Sequence, residues 1–394
     1  METARSTRTF WLLAGLGGAL TAVGLGAAHF METHGHIVTG MGNEVVWGLP
    51  HVFAIFMVVA ASGVLNMASV GSVFGQPAYK TRARLSGLLS LALLAGGLMV
   101  LMLDLGRPER VIVAATHYNF RSVFAWNVFL YSGMAAIVVV YLWTMLQPGL
   151  DKWSKPAGIA ALGWRFILTT GTGSIFGFLV AREAYQSALL APLFILFSLA
   201  WGLALFLLVQ ALLSARAGLA VPDAVLGRLA RLLGIFVAAC LYLVAVQHMT
   251  HLYEARRGGF EAFLLLGRNG GAPYATLFWA GYVLLGSVLP LLLLFHPALR
   301  SPRGVTAAAA LVLIGAFAWL YAFIVGGQAF PLDIFPGHEV RSSFGDGAVA
   351  RYVPSVPEAL LGIGGLGAAL LVTTIGMRLF DMRPHDTPAA PAKA

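Results

Sequence analysis

Several short stretches of this chain set proton-handling side chains against long apolar runs. His51 follows Pro50 in Trp47-Gly48-Leu49-Pro50-His51. A neutral imidazole in the first turn of a helix can accept a hydrogen bond from a weakly acidic hydroxyl, such as that of a quinol. With an ordinary pKa near 6.5, it is suited to take the proton. The competing reading is a histidine at headgroup level, bonded to a loop. Asp104 ends an apolar run in Leu103-Asp104-Leu105-Gly106-Arg107-Pro108. Burial would raise its pKa and make it a proton acceptor. Arg107, three residues on, can share its helical face and hold it ionised; a purely structural Asp–Arg pair before Pro108 is the alternative. Tyr118, Asn119 and Ser122 lie at the start of the next apolar run, where hydroxyl and amide groups can orient quinone carbonyls. An aromatic belt with Asn119 or Ser122 as helix cap explains them equally well.

Other ionisable groups are candidates for a proton path. Arg165 falls inside an apolar stretch, too deep for easy snorkelling, so it needs a carbonyl, carboxylate or water partner. His248 and His251 share one helical face, with Glu254 following. They lack an evident third metal ligand, and a polar lining fits them better than a haem, which needs a facing histidine at matched depth. Gly171-Thr-Gly173-Ser-Ile-Phe-Gly177 mimics a nucleotide loop but has no preceding strand and no βαβ unit; close helix packing accounts for it.

The elements holding these residues must be membrane helices. The chain has 394 residues, 59% hydrophobic and only 10% charged, whereas soluble domains carry about 25% charged residues. So few charges cannot solvate a soluble surface of this size. A crossing helix needs roughly 20 mostly apolar residues, and ten such stretches occur, at about 10–30, 47–70, 86–105, 122–146, 156–180, 188–213, 228–249, 273–296, 305–325 and 357–380. The first is long and ends in Ala28-His29-Phe30, a poor cleavage site, so it reads as a retained helix rather than a signal peptide.

Fifteen Lys and Arg residues fall in the termini and even-numbered loops against nine in the odd-numbered loops. The positive-inside rule then places both termini in the cytoplasm. The net charge of +9 needs no nucleic acid to explain it. Outer loops carry most of the acids and histidines, and the longest, about 326–356, holds Gly326, Gly327, Pro331 and Pro336 together with Asp333, His338 and Glu339. A weak repeat relates Glu44…Pro50 to Glu183…Pro192. It suggests an all-α integral membrane fold, residues 1–380, of two related four-helix bundles: helices two to five, about 47–180, and six to nine, about 188–325. Two further helices flank them, and a Pro/Ala-rich disordered tail follows at 381–394. The only cysteine, Cys240, leaves no intramolecular disulfide and no cysteine-ligated cluster in the chain.

The segments Val46-Trp47-Gly48-Leu49-Pro50-His51-Val52-Phe53, Leu103-Asp104-Leu105-Gly106-Arg107-Pro108, Tyr118-Asn119-Phe120-Arg121-Ser122-Val123 and Tyr352-Val353-Pro354-Ser355-Val356-Pro357-Glu358, taken in this order, resemble the NrfD/PsrC family. These are membrane subunits of bacterial molybdopterin and iron–sulfur oxidoreductases. Within the family the likeness is strongest to the ten-helix subunits of sulfur-metabolism complexes. The resemblance implies a bacterial inner-membrane subunit that binds menaquinone or ubiquinone near its outer face. It also implies no haem or iron–sulfur cluster of the subunit's own, and a periplasmic ferredoxin-like iron–sulfur partner docked above. It carries quinone-binding roles to His51 and Asp104, with Tyr118 and Asn119 in the neighbouring segment. One departure stands out: Gly48 replaces the asparagine that some family members carry just before the histidine. The main alternative, a secondary transporter, would put its polar residues at the bilayer midplane, where only Arg165 falls.

Overall fold

The computed structural model describes residues 2–217, 221–332 and 347–380. Asp333, Pro336, His338 and Glu339 of the longest loop, and the tail from 381, lie outside the described residues.

Among the described residues, ten long helices follow one another: α1 Glu2–His34, α2 Leu49–Ser72, α3 Pro77–Leu103, α4 Val123–Leu146, α5 Asp151–Gly177, α6 Leu190–Ala217, α7 Asp223–Tyr253, α8 Ala272–Phe295, α9 Pro302–Ala329 and α10 Val356–Leu379. Nine are long and apolar enough to cross a bilayer. The exception is α5, which carries Asp151, Lys152 and Lys155 in its first turns and Arg165 at its middle. The outward surface of the helices is itself apolar, with Trp11, Phe129, Trp143 and Ile314 exposed. A soluble protein would not leave such a belt uncovered. The chain is an integral membrane protein of about ten spans.

Local chemistry sets the helix starts. Pro50, Pro77, Pro302 and Pro357 all sit in first turns, where a missing N–H costs nothing and the fixed φ is already helical. Ser122 caps α4 by accepting from Ala125 N–H, and Ser301 caps α9 by accepting from Gly304 N–H. At α10, Ser355 and Glu358 form a reciprocal capping box. α2 is interrupted at Leu65, between Leu49–Val64 and Asn66–Ser72. There the Asn66 amide donates to Gly63 O at 2.6 Å and the Ser86 hydroxyl to Val64 O at 2.7 Å, capturing carbonyls that a continuous helix would use.

α2 packs against α3, α6 and α10, and α6 in turn against α5, α7 and α9. At the α2–α6 crossing the backbones almost touch: a Cβ on Gly63 would run into the Ser198 carbonyl oxygen. Only glycine permits that approach. Gly173 in α5 likewise faces Leu190 O at 2.5 Å from an added Cβ, so the nucleotide-like glycine run is a packing surface within a helix. Gly326 and Gly327, expected to open the longest loop, instead lie inside α9. A π-helical turn at Ala322–Gly326 and a last helical segment at Gly327–Ala329 carry α9 beyond its expected end.

Candidate functional site

α2 and α3 bring His51 and Asp104 together. Nδ1 of His51 lies 2.7 Å from Oδ2 of Asp104, with the imidazole 15% exposed and the carboxylate 1% exposed. The contact is close, but the angle is poor for a hydrogen bond, and both Asp104 oxygens are left without a hydrogen-bonded partner. A buried carboxylate with open lone pairs can accept a hydrogen-bond donor.

The Asp104–Arg107 pairing expected from their spacing does not form. α3 stops at Leu103, Asp104 is its C-cap, and Arg107 has left the helical path at φ −144°, ψ 76°. Three residues share a face only while the helix continues. Arg107 is exposed, and its place beside the carboxylate is taken by His51.

The indole of Trp47 lies beside this pair, its centroid 6.2 Å from the His51 ring, 5.9 Å from Phe124 and 5.6 Å from Phe176. Among the described residues, the contacts of Tyr118, Asn119 and Ser122 are local. Tyr118 packs on Phe120 and Phe129, Asn119 Oδ1 accepts from Arg121 N–H, and Ser122 is the α4 cap.

Two long-range clamps hold the start of α2. Tyr352 accepts from Leu49 N–H at 2.7 Å and donates to Glu358 Oε1 at 2.7 Å. Burial, reinforced by the bond to Glu358, pushes the Tyr352 hydroxyl far above its ordinary pKa, so it stays a donor. Glu358 Oε2 takes Gly40 N–H and Ser355 N–H. This clamp accounts for Gly48: a Cβ there would meet Tyr352 Oη at 2.6 Å and Glu358 Oε1 at 2.7 Å. The second clamp is Gln328, from the end of α9. Its Oε1 accepts from Val46 and Trp47 N–H, while its Nε2 donates to Trp47 O and Ile324 O.

A second polar cluster lies at the end of α7. Glu261, on the short helix Gly258–Leu266, is fully buried and takes His248 Nδ1 on one oxygen and His251 Nδ1 on the other, each at 2.8 Å. Burial alone would raise its pKa, but the two histidine hydrogen bonds hold it below the usual carboxylate value. Arg257 approaches His251 Nε2 at 2.7 Å. A guanidinium only donates, so that nitrogen must accept, and the His251 proton sits on Nδ1 facing Glu261. Gln247, Gln186 and the Tyr185 carbonyl complete the surroundings. A cavity of about 20 Å³ bounded by His248, His251, Gln247 and Phe323 has room for about one water.

Glu254, grouped with His248 by sequence, separates from it: it is half exposed and pairs with Arg257 Nε at 2.8 Å. Arg165 sits buried near the middle of α5. It donates to Ser62 O at 3.4 Å and lies over the Phe166 ring, with Nε unpartnered.

Sequence reasoning missed Glu261, Gln328 and the Tyr352–Glu358 clamp. The available signal for Glu261 was one acid in the otherwise apolar run Gly258–Leu266. Gln328 offered none, because its partners lie about 280 residues away in sequence.

A sequence model described as Polysulphide reductase, NrfD matches residues 37–332. Curated relatives align along nearly their whole length. An Hdr-like menaquinol oxidoreductase integral membrane subunit of Archaeoglobus fulgidus is 28% identical over 93% of this chain and 92% of its own. A putative dimethyl sulfoxide reductase membrane subunit of Halobacterium salinarum is 30% identical over 96% and 93%. A selenate reductase subunit of Mesobacillus selenatarsenatis is 22% identical over 91% of each.

Proposed function

The chain belongs to the polysulphide reductase NrfD family, and from that premise we propose that it is the quinone-reactive membrane subunit of a multisubunit oxidoreductase. The observation carrying this reading is the buried Asp104 carboxylate held against a partly exposed imidazole beside Trp47. Oxidising a quinol removes two protons and two electrons. With Nδ1 turned to Asp104, His51 offers Nε2 to a quinol hydroxyl, and the carboxylate stabilises the imidazolium that forms when the proton arrives. Run in reverse, the same pair delivers protons to a quinone. The electrons leave to a partner subunit, because a chain with a single cysteine supplies no iron–sulfur cluster ligands of its own.

The finer assignment is that the partner is a periplasmic ferredoxin-like iron–sulfur protein, with no haem in this chain. The complex serves sulfur-compound respiration in a bacterial inner membrane, and both termini face the cytoplasm. The charge asymmetry of the loops supports the orientation. The relative described as a menaquinol oxidoreductase subunit supports the quinone. In this scheme the two four-helix bundles divide the work, with quinone chemistry in α2–α5.

The test is quinol-dependent electron transfer by the complex purified with its partners. Activity that depends on His51 and Asp104 supports the proposal. Wild-type rates in both His51→Ala and Asp104→Asn would remove it, and solute uptake by the chain alone in liposomes would revive the transporter reading.

A further inference from the structure

Gln328 is 2% exposed and uses its whole hydrogen-bonding capacity. Its Oε1 accepts from Val46 N–H at 3.1 Å and Trp47 N–H at 3.0 Å, and its Nε2 donates to Trp47 O at 3.0 Å and Ile324 O at 2.8 Å. Both peptide groups flanking the Trp47 Cα are therefore tied to one side chain from another helix. The π-helical turn Ala322–Gly326 precedes Gln328. A wider turn shifts everything after it by a residue relative to an α-helix, aiming Gln328 out of α9 towards the segment before α2. Arg182 secures the same place from a third direction, donating to Gln328 O at 2.5 Å and to Glu44 O at 2.8 Å. Only Gly48, Leu49 and Pro50 separate the clamped Trp47 from His51.

We propose that Gln328 is a positioning residue for the His51 site, fixing the Trp47 indole as the wall against which a flat quinone ring lies beside His51. This rests on the quinone reading above. The indole is partly exposed, and it stands edge-on to Phe176 with Phe124 and the His51 imidazole also beside it. Gln328 touches no reacting atom and acts through Trp47. Its loss weakens ring binding more than proton transfer.

The test is steady-state quinol oxidation by the purified complex with menadiol as probe, in Gln328→Leu, Gln328→Glu, Trp47→Ala and the double variant Gln328→Leu/Trp47→Ala. Gln328→Leu should raise the apparent KM about tenfold, with most of the loss in KM rather than kcat. Gln328→Glu keeps the acceptor for the two N–H groups and should recover part of it. The double variant should be no worse in KM than Trp47→Ala alone, because the two residues act in series. Additive KM effects, or equal KM for Gln328→Leu and wild type, overturn the positioning role. So does failure of both Gln328 variants to accumulate, which makes the residue a folding determinant only. If the wild-type complex does not oxidise menadiol or bind menadione, the functional proposal falls instead.

Discussion

Nδ1 of His51 and Oδ2 of Asp104 stand 2.7 Å apart across the α2–α3 contact, although neither residue's own sequence surroundings point to the other. The pair joins a partly exposed base to a buried carboxylate with free lone pairs. In the proposed function the imidazole is the group that would meet the quinol, and the carboxylate lies behind it, out of water.

His51→Ala and Asp104→Asn are each expected to lower quinol oxidation by at least about 100-fold, the usual scale for removing a positioned general base or its partner. The partner subunits should still co-purify, because α2 and α3 are also packed through apolar contacts such as Gly97 against Ala54 and Met57. Steady-state rates beside a subunit stoichiometry gel separate lost chemistry from lost assembly.

Glu261→Gln should destabilise the protein by about 3 kcal/mol, since it removes the buried charge that holds His248 and His251. Because the folded state holds this carboxylate below its ordinary pKa, its contribution is present above the unfolded value and is lost as pH falls through the folded one. The stability gap between wild type and variant should therefore be full at neutral pH and close in acid. Heating in detergent while following thiol labelling of the sole cysteine, buried Cys240, gives the midpoints. A gap that widens on acidification would contradict the assignment.

Gly63→Ala is expected to cost about 1–3 kcal/mol, because the new methyl lands on Ser198 O and the backbones of α2 and α6 must separate. Gly15→Ala, in α1 with open space around its Cβ position, serves as the control and should leave the midpoint unchanged or slightly raised. The same thiol-labelling melt measures both.

Gly48→Asn should be harmful. The new Cβ collides with Tyr352 and Glu358, breaks the Tyr352 bond to Leu49 N–H and loosens the start of α2. A loss of about 1–3 kcal/mol is expected, together with slower quinol oxidation. Unchanged stability and rate would show that the clamp does not hold His51.

Much of this protein was fixed by sequence alone, because partition into a bilayer depends on local composition. About 20 apolar residues in a row insert wherever they occur, so the number of spans and their approximate bounds could be read directly. Ser122, one of the two caps the sequence offers for the fourth helix, does cap it. Clustering of ionisable residues between particular spans also located the candidate site. Tertiary structure decided which residues meet. Helical spacing favoured Arg107 as the partner of Asp104, but the helix ends one residue before Asp104, and the neighbour from α2 takes the contact. Glu261, Gln328 and the bond of Tyr352 to the start of α2 became visible only once helices distant in sequence were packed, because a hydrogen bond between Gln328 and Trp47 leaves no periodic trace in either segment. Hydropathy is a property of each stretch by itself, whereas a proton-handling pair is a property of the contact between two.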